Sequence, residues 1–300
     1  MFSFTREQKV VEIKGINIGG QPGMYPTVVF TGFFFKGKPT REIAERYIPG
    51  IISMSAKLGV PVIPDFFIRR LEYIDDVIRI IKDNIPVTHP FSVDMIDPEV
   101  KIKTLERLHE EDMLSRVIYN SIHIGITQKE QDTLEEYTPD AAIVVCFNPK
   151  DNTVDGRIEV LENSAHLKDK GLIDIAKEIG LEKILLDTAA LSPGENSGAA
   201  LAAIPVLKEE YGLPAGCAIH NVVEKSTWLK EYNDTYRVVD ASSNASVPLF
   251  SGDFVISGPA EQYMIVLPLI AWFDILVSEY TESYFGVEPV SSHPRRLLLK

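Results

Sequence analysis

Six polar side chains stand where an apolar run gives out: Asp94, Asn120, Asn148, Asp187, Asn221 and Ser257. The clearest case is residues 183–198, KILLDTAALSPGENSG. Ile184-Leu185-Leu186 has no alternation, as in a strand buried on both faces. Asp187 comes next, and a Ser/Pro/Gly/Asn loop then leads to Ser197, placed to cap a helix starting at Gly198. In parallel α/β folds the C-terminal strand ends share one face, and ligands bind there. Taken singly, each of the six reads equally as a helix cap or a loop tie.

Together they bring two carboxylates, several amides and one adjacent histidine, His220. A metal-dependent barrel hydrolase gathers several histidines with its carboxylates. His89, His123 and His220 lie near strand ends and keep that rival open, but the chain has no HxH or HExxH pair, and the expectation is no metal. Lys36 and Lys225 fall in loops rather than where a Schiff-base lysine would stand, and there is no GxSxG elbow. Carboxylates and amides without metal, lysine or thiolate suit a flat heterocycle with adjacent N–H donors, such as a reduced pterin. One carboxylate can accept two such donors side by side, and amides read mixed edges.

The elements that must carry these residues repeat along the chain. Strand-like runs are expected at 27–35, 60–67, 85–93, 116–119, 141–147, 184–186, 215–219 and 254–256. Helix patterns follow at 40–58, 69–82, 98–109 (capped by Asp97), after Thr127, and at 168–179, 198–211 and 261–280. Residues 222–249 read as irregular with a helical piece near Trp228. Eight βα units in 300 residues predict a single-domain (β/α)8 TIM barrel spanning residues 1–300. A short N-terminal hairpin in residues 4–18 is placed to cover its bottom.

A formal charge of −13 speaks against nucleic-acid binding, which needs a Lys/Arg-lined surface. The N-terminus is polar and reads as no signal peptide. The most apolar segment, Tyr263–Val277, is too short to span a membrane and contains Pro268 and Asp274. A cytoplasmic protein with no membrane partner is expected. Cys146 and Cys217 read as buried free thiols.

Several stretches, in order, resemble one family. They are IGGQPGMYPTVV, PFSVD, RVIYNSI, AAIVVCFNP, VDGRIEVLE, LLDTA and GLPAGCAIHNV. The chain is similar to the H subunit of tetrahydromethanopterin S-methyltransferase and its bacterial methyltransferase relatives, within the pterin-binding barrels. The resemblance implies that Asp94, Asn120 and Asp187 hold a pterin ring, and that Asn221 sits near N5 as the catalytic residue. It assigns weaker contacts to Asn148 and Ser257. It implies methyl transfer from a methylated corrinoid, cobalamin carried by a partner corrinoid protein, to tetrahydrofolate, giving methyltetrahydrofolate. The segment FFFKGKPTREIAE looks shorter than in the archaeal protein. That favours a bacterial tetrahydrofolate enzyme of glycine betaine or aryl-methyl-ether demethylation, with the archaeal type as alternative. A non-catalytic subunit that binds a corrinoid protein is the rival of another class. The superfamily also allows a homodimer.

Overall fold

The computed structural model describes residues 3–299. Strands β1 (Val10–Ile13) and β2 (Ile16–Gly19) form an antiparallel hairpin. Eight parallel strands then close a barrel: β3 (Val28–Phe33), β4 (Val62–Phe67), β5 (Phe91–Asp94), β6 (Val117–Ile122), β7 (Ala141–Val145), β8 (Ile184–Asp187), β9 (Ala215–Cys217) and β10 (Phe254–Pro259). Each pairs with its neighbour in sequence, and β10 closes against β3. This is the (β/α)8 barrel.

The apolar runs follow from a strand having two buried faces. Val28, Phe30, Ile63, Ile118, Ile143, Leu185 and Phe254 fill the barrel interior, while Val29, Val62, Phe66, Val93 and Leu186 pack under the surrounding helices. Side-chain period two sorts one set from the other. Ile13 and Ile18 of the hairpin join the interior set and close the bottom, as the sequence suggested. At the end of β2, Gly19 has φ +116°, and a Cβ there would lie 2.2 Å from the Lys9 carbonyl oxygen. Only glycine lets the hairpin turn into the barrel at that point.

The helices differ from expectation in four places. Ser197 makes no cap; the helix runs Ala199–Tyr211 from Gly198. A ten-residue helix, Val154–Asn163, precedes the expected one, which shortens to Leu172–Glu178. The region read as irregular contains helix Asn233–Ser246. The last barrel helix runs Tyr263–Phe285, and counted from Ala260 it is long and apolar enough, by length and composition, to cross a membrane. In the structure half of its most apolar stretch is buried against the barrel. Its Asp274 lies inside that contact, accepting the Thr27 N–H at 3.0 Å and the Thr27 hydroxyl at 2.7 Å. Asp97 caps helix Pro98–Glu110 as expected, accepting from Glu99 and Val100.

One buried ion pair supports the fourth barrel strand. Lys101 Nζ lies 3.1 Å from Glu130, donates to the Ser121 carbonyl at 2.7 Å, and Tyr119 donates to the same carboxylate at 2.6 Å. Lys101 and Glu130 are almost fully buried. Removing one member strands the other charge, which costs about 3–5 kcal/mol. Lys101→Met should therefore lower the unfolding free energy by about that much in urea titrations. A loss below about 1 kcal/mol would mean that the pair is not sealed from water.

Candidate active site at the barrel mouth

Alternation decides which strand-end residues face inward. Asp94 is in step with Ser92, Asn120 with the interior residue Ile118, and Asp187 with the interior residue Leu185. The structure therefore brings Asp94, Asn120 and Asp187 together inside the C-terminal mouth. It adds a residue that the sequence reading missed. Asp65, in step with interior Ile63 on β4, is buried, and Asn120 Nδ2 donates to its Oδ2 at 3.4 Å. Its Oδ1 has no partner among the described residues. The signal was present as a lone carboxylate in the run VIPDFF, but it stands inside the strand rather than after it.

Burial, and for Asp94 the neighbouring carboxylates too, disfavours ionisation of the three acids. Burial pushes Asp65 up to about 6, against the pull of Ser92 and Asn120. Burial also pushes Asp187 up to about 6, partly offset by the N–H groups of Ala189 and Ala218 and by Arg157. Asp94 is pushed well above the ordinary range by burial and then by Asp65 and Asp187, with Lys101 pulling the other way. Such a site favours a ligand edge that presents N–H donors or partial positive charge. Behind Asp187, buried Arg157 fixes the loop by donating to the carbonyls of Thr188 at 2.6 Å and Ala189 at 3.0 Å. Asp187 itself accepts the Ala189 N–H at 2.9 Å.

Asn221 is exposed in the first turn of helix His220–Lys225, just beyond β9, and no hydrogen bond ties its side chain to a described residue. Its backbone is held by its neighbour. His220 Nδ1 sits 2.8 Å from the buried carboxylate of Asp240, and the ring packs on Gly258, where a Cβ would be 2.4 Å from it. His220 thus anchors the start of the helix that carries Asn221. His89 lies before β5, at the opposite end of the barrel, bonded to the Val62 carbonyl. It shares no site with His220.

Two of the expected contacts are placed elsewhere. Asn148 donates to Gly156 O at 3.1 Å and Glu159 at 2.9 Å, and accepts from Lys150 and Asp151 N–H groups at 2.9 and 3.2 Å. Those four bonds fill the capacity of an amide, so Asn148 ties its loop and has nothing left for a ligand. Ser257 lies where the β10–β3 register shifts, and its hydroxyl donates to the Phe30 carbonyl at 3.1 Å. It joins β10 to β3. Exposed apolar side chains follow three of the strands at the same end of the barrel: Phe34 after β3, Ile96 after β5 and Phe147 after β7.

The family model for the tetrahydromethanopterin S-methyltransferase MtrH subunit matches residues 6–290. The chain belongs to the MtrH family. Among similar proteins, the tetrahydromethanopterin S-methyltransferase H subunit of Methanothermobacter thermautotrophicus is 35% identical, with 98% of each chain covered. That of Methanocaldococcus jannaschii is 33% identical over the whole of both chains. These MtrH relatives are archaeal, which supports the archaeal alternative over the bacterial tetrahydrofolate enzyme expected from the short loop. Among solved structures, a dihydropteroate synthase of Coxiella burnetii has a TM-score of 0.62 at 12% identity, covering 90% of this chain and 99% of that one. The Yersinia pestis synthase gives 0.61, also at 12%, covering 90% and 100%. At that identity the likeness speaks for the barrel fold alone.

Proposed function

We propose that this MtrH-family methyltransferase moves a methyl group between N5 of a tetrahydropterin and the cobalt of a corrinoid carried by a partner protein. The observation that carries the reading is the inward layer of Asp65, Asp94, Asn120 and Asp187, with an unbonded, exposed Asn221 following β9 at the same end of the barrel. The carboxylates accept the 2-amino and N3–H donors of the pterin ring, and Asn120 reads the adjoining edge. Tetrahydromethanopterin, the pterin in the relatives' names, takes precedence over tetrahydrofolate.

Toward the pterin, the N5 lone pair attacks the methyl carbon, the Co–C bond breaks with its electron pair left on cobalt as Co(I), and N5 releases its proton. In the other direction N5 is protonated, Co(I) attacks the methyl, and the C–N electron pair returns to N5. The Asn221 side-chain oxygen accepts the proton-bearing N5 in that state. The protein's contribution is in-line positioning, worth up to about 7–11 kcal/mol, without a covalent enzyme intermediate. The exposed apolar rim is the surface on which the corrinoid and its protein settle, and it leaves the N5 side of the mouth open.

The test is an anaerobic absorbance assay with methylcob(III)alamin and either tetrahydropterin. Formation of the Co(I) band with tetrahydromethanopterin is the expected result. A band with tetrahydrofolate alone would restore the folate reading. No band with either, even with the methylated corrinoid bound to its protein, would leave a non-catalytic subunit.

A further inference from the structure

At the same end of the barrel, a cleft of about 510 Å³ opens between the loops that follow β7 and β8. Phe147, Lys150 and Asn152 form one wall, Leu191 and Glu195 the other, and Lys225 closes one side. The walls are tied to each other and to the mouth. Asn152 Nδ2 donates to the Glu195 carbonyl at 3.3 Å, and Asn196 Nδ2 donates back to the Asn152 carbonyl at 3.1 Å. Arg157 donates to the Asn152 carbonyl at 2.7 Å and to the Ala189 carbonyl at 3.0 Å, and the Ala189 N–H is the one that Asp187 accepts. The two walls are therefore held, through Arg157 and Ala189, to the loop that starts at Asp187. Lys225 stands one helical turn after Asn221, so both project from one side of their short helix.

The charges in the cleft are unequally engaged. Lys150 Nζ donates to the Ala165 carbonyl at 3.0 Å. Asp151 accepts the Thr153 N–H at 2.9 Å and Glu195 the Ser192 N–H at 3.3 Å, each within its own loop. Lys225 makes no ion pair with a described residue. The cleft thus offers one uncommitted cation and, in Phe147, a half-exposed aromatic face.

We propose that this cleft holds the tail of the tetrahydropterin, with its aryl ring against Phe147 and its anionic end against Lys225. The inference rests on the tetrahydropterin reading above. Tetrahydrofolate and tetrahydromethanopterin share an arylamine followed by an anionic group. That group is a glutamate carboxylate in the first, and carboxylates with a phosphate in the second. A tail site of this kind adds affinity without touching the reacting atom.

Titration calorimetry of wild type, Lys225→Ala and Lys225→Glu with tetrahydrofolate, tetrahydromethanopterin and tailless 6-methyltetrahydropterin tests it. An exposed ion pair of up to about 1 kcal/mol predicts roughly fivefold weaker binding of the tailed ligands by Lys225→Ala. A larger loss follows for Lys225→Glu, with the tailless ligand, read by competition, binding all three proteins equally. The tailed ligand that loses more identifies whether carboxylate or phosphate meets the lysine, and an equal loss assigns their shared anionic chemistry. Equal losses for tailed and tailless ligands, or no loss in either variant, overturn the proposal. If wild-type protein binds neither tailed pterin, the tetrahydropterin reading itself fails.

Discussion

Asp187→Ala weakens tetrahydropterin binding by roughly a hundredfold or more at pH 7.5. Two charge-assisted hydrogen bonds, at about 1.5–3 kcal/mol each, disappear with the carboxylate. The side chain also holds Ala189, so the alanine variant loosens the loop as well as the acceptor. Asp187→Asn separates the two effects. Its carbonyl can keep the Ala189 bond, while its NH2 meets the ligand's donors with another donor. A large loss in both variants by calorimetry assigns the effect to chemistry, and unchanged affinity in the asparagine variant would sink the ring contact. Protonation must act in the same direction. Asp187 and Asp65 are both raised to about 6, so they lose acceptors as the pH falls through that value. Affinity should drop about tenfold for each pH unit below 6 for every carboxylate the ligand needs ionised. A flat profile between pH 5 and 7.5 would show that the neutral acids bind it.

Asn221→Ala slows single-turnover methyl transfer by a factor on the order of 10²–10³, the usual effect of removing one group aimed at developing charge. In the proposed binding mode the carboxylate layer holds the ring and Asn221 meets only N5, so binding changes by less than about threefold. Rapid-mixing absorbance at saturating pterin separates the two quantities. Equal losses in rate and affinity would make Asn221 an ordinary binding residue. His220→Gln tests the support beneath it. Glutamine retains a donor toward Asp240, so it should recover part of the rate that His220→Ala loses.

Much of this was legible because parallel barrel strands are buried on both faces and announce themselves as uninterrupted apolar runs. Asp94, Asn120 and Asp187 could be picked out because each ends such a run in step with interior residues. Ser257 was misread because the β10–β3 register shifts between Ile256 and Pro259, and alternation along the run does not carry through that shift. Asp65 was hidden by something local patterns do not contain. Closing a barrel staggers its strands, and that stagger sets which residues are level across the mouth. Asp65 pairs with Ser92, not with the last residue of β5, although the run VIPDFF continues beyond it. Asn148 lies past the end of its ladder at Val145, where position along the chain no longer fixes direction. Helices Val154–Asn163 and Asn233–Ser246 escaped notice because neither carries a long apolar stripe.

The N-terminal hairpin has a kinetic consequence. With Ile13 and Ile18 seated in the interior, one end of the barrel is stoppered, and traffic is confined to the other. On the proposed reaction, the small substrate and the macromolecular one share a single doorway. The pterin has to enter before the protein settles over it, and its product leaves only after that protein has lifted off. Turnover then follows a compulsory order, and an excess of the corrinoid protein slows the cycle by blocking the exit.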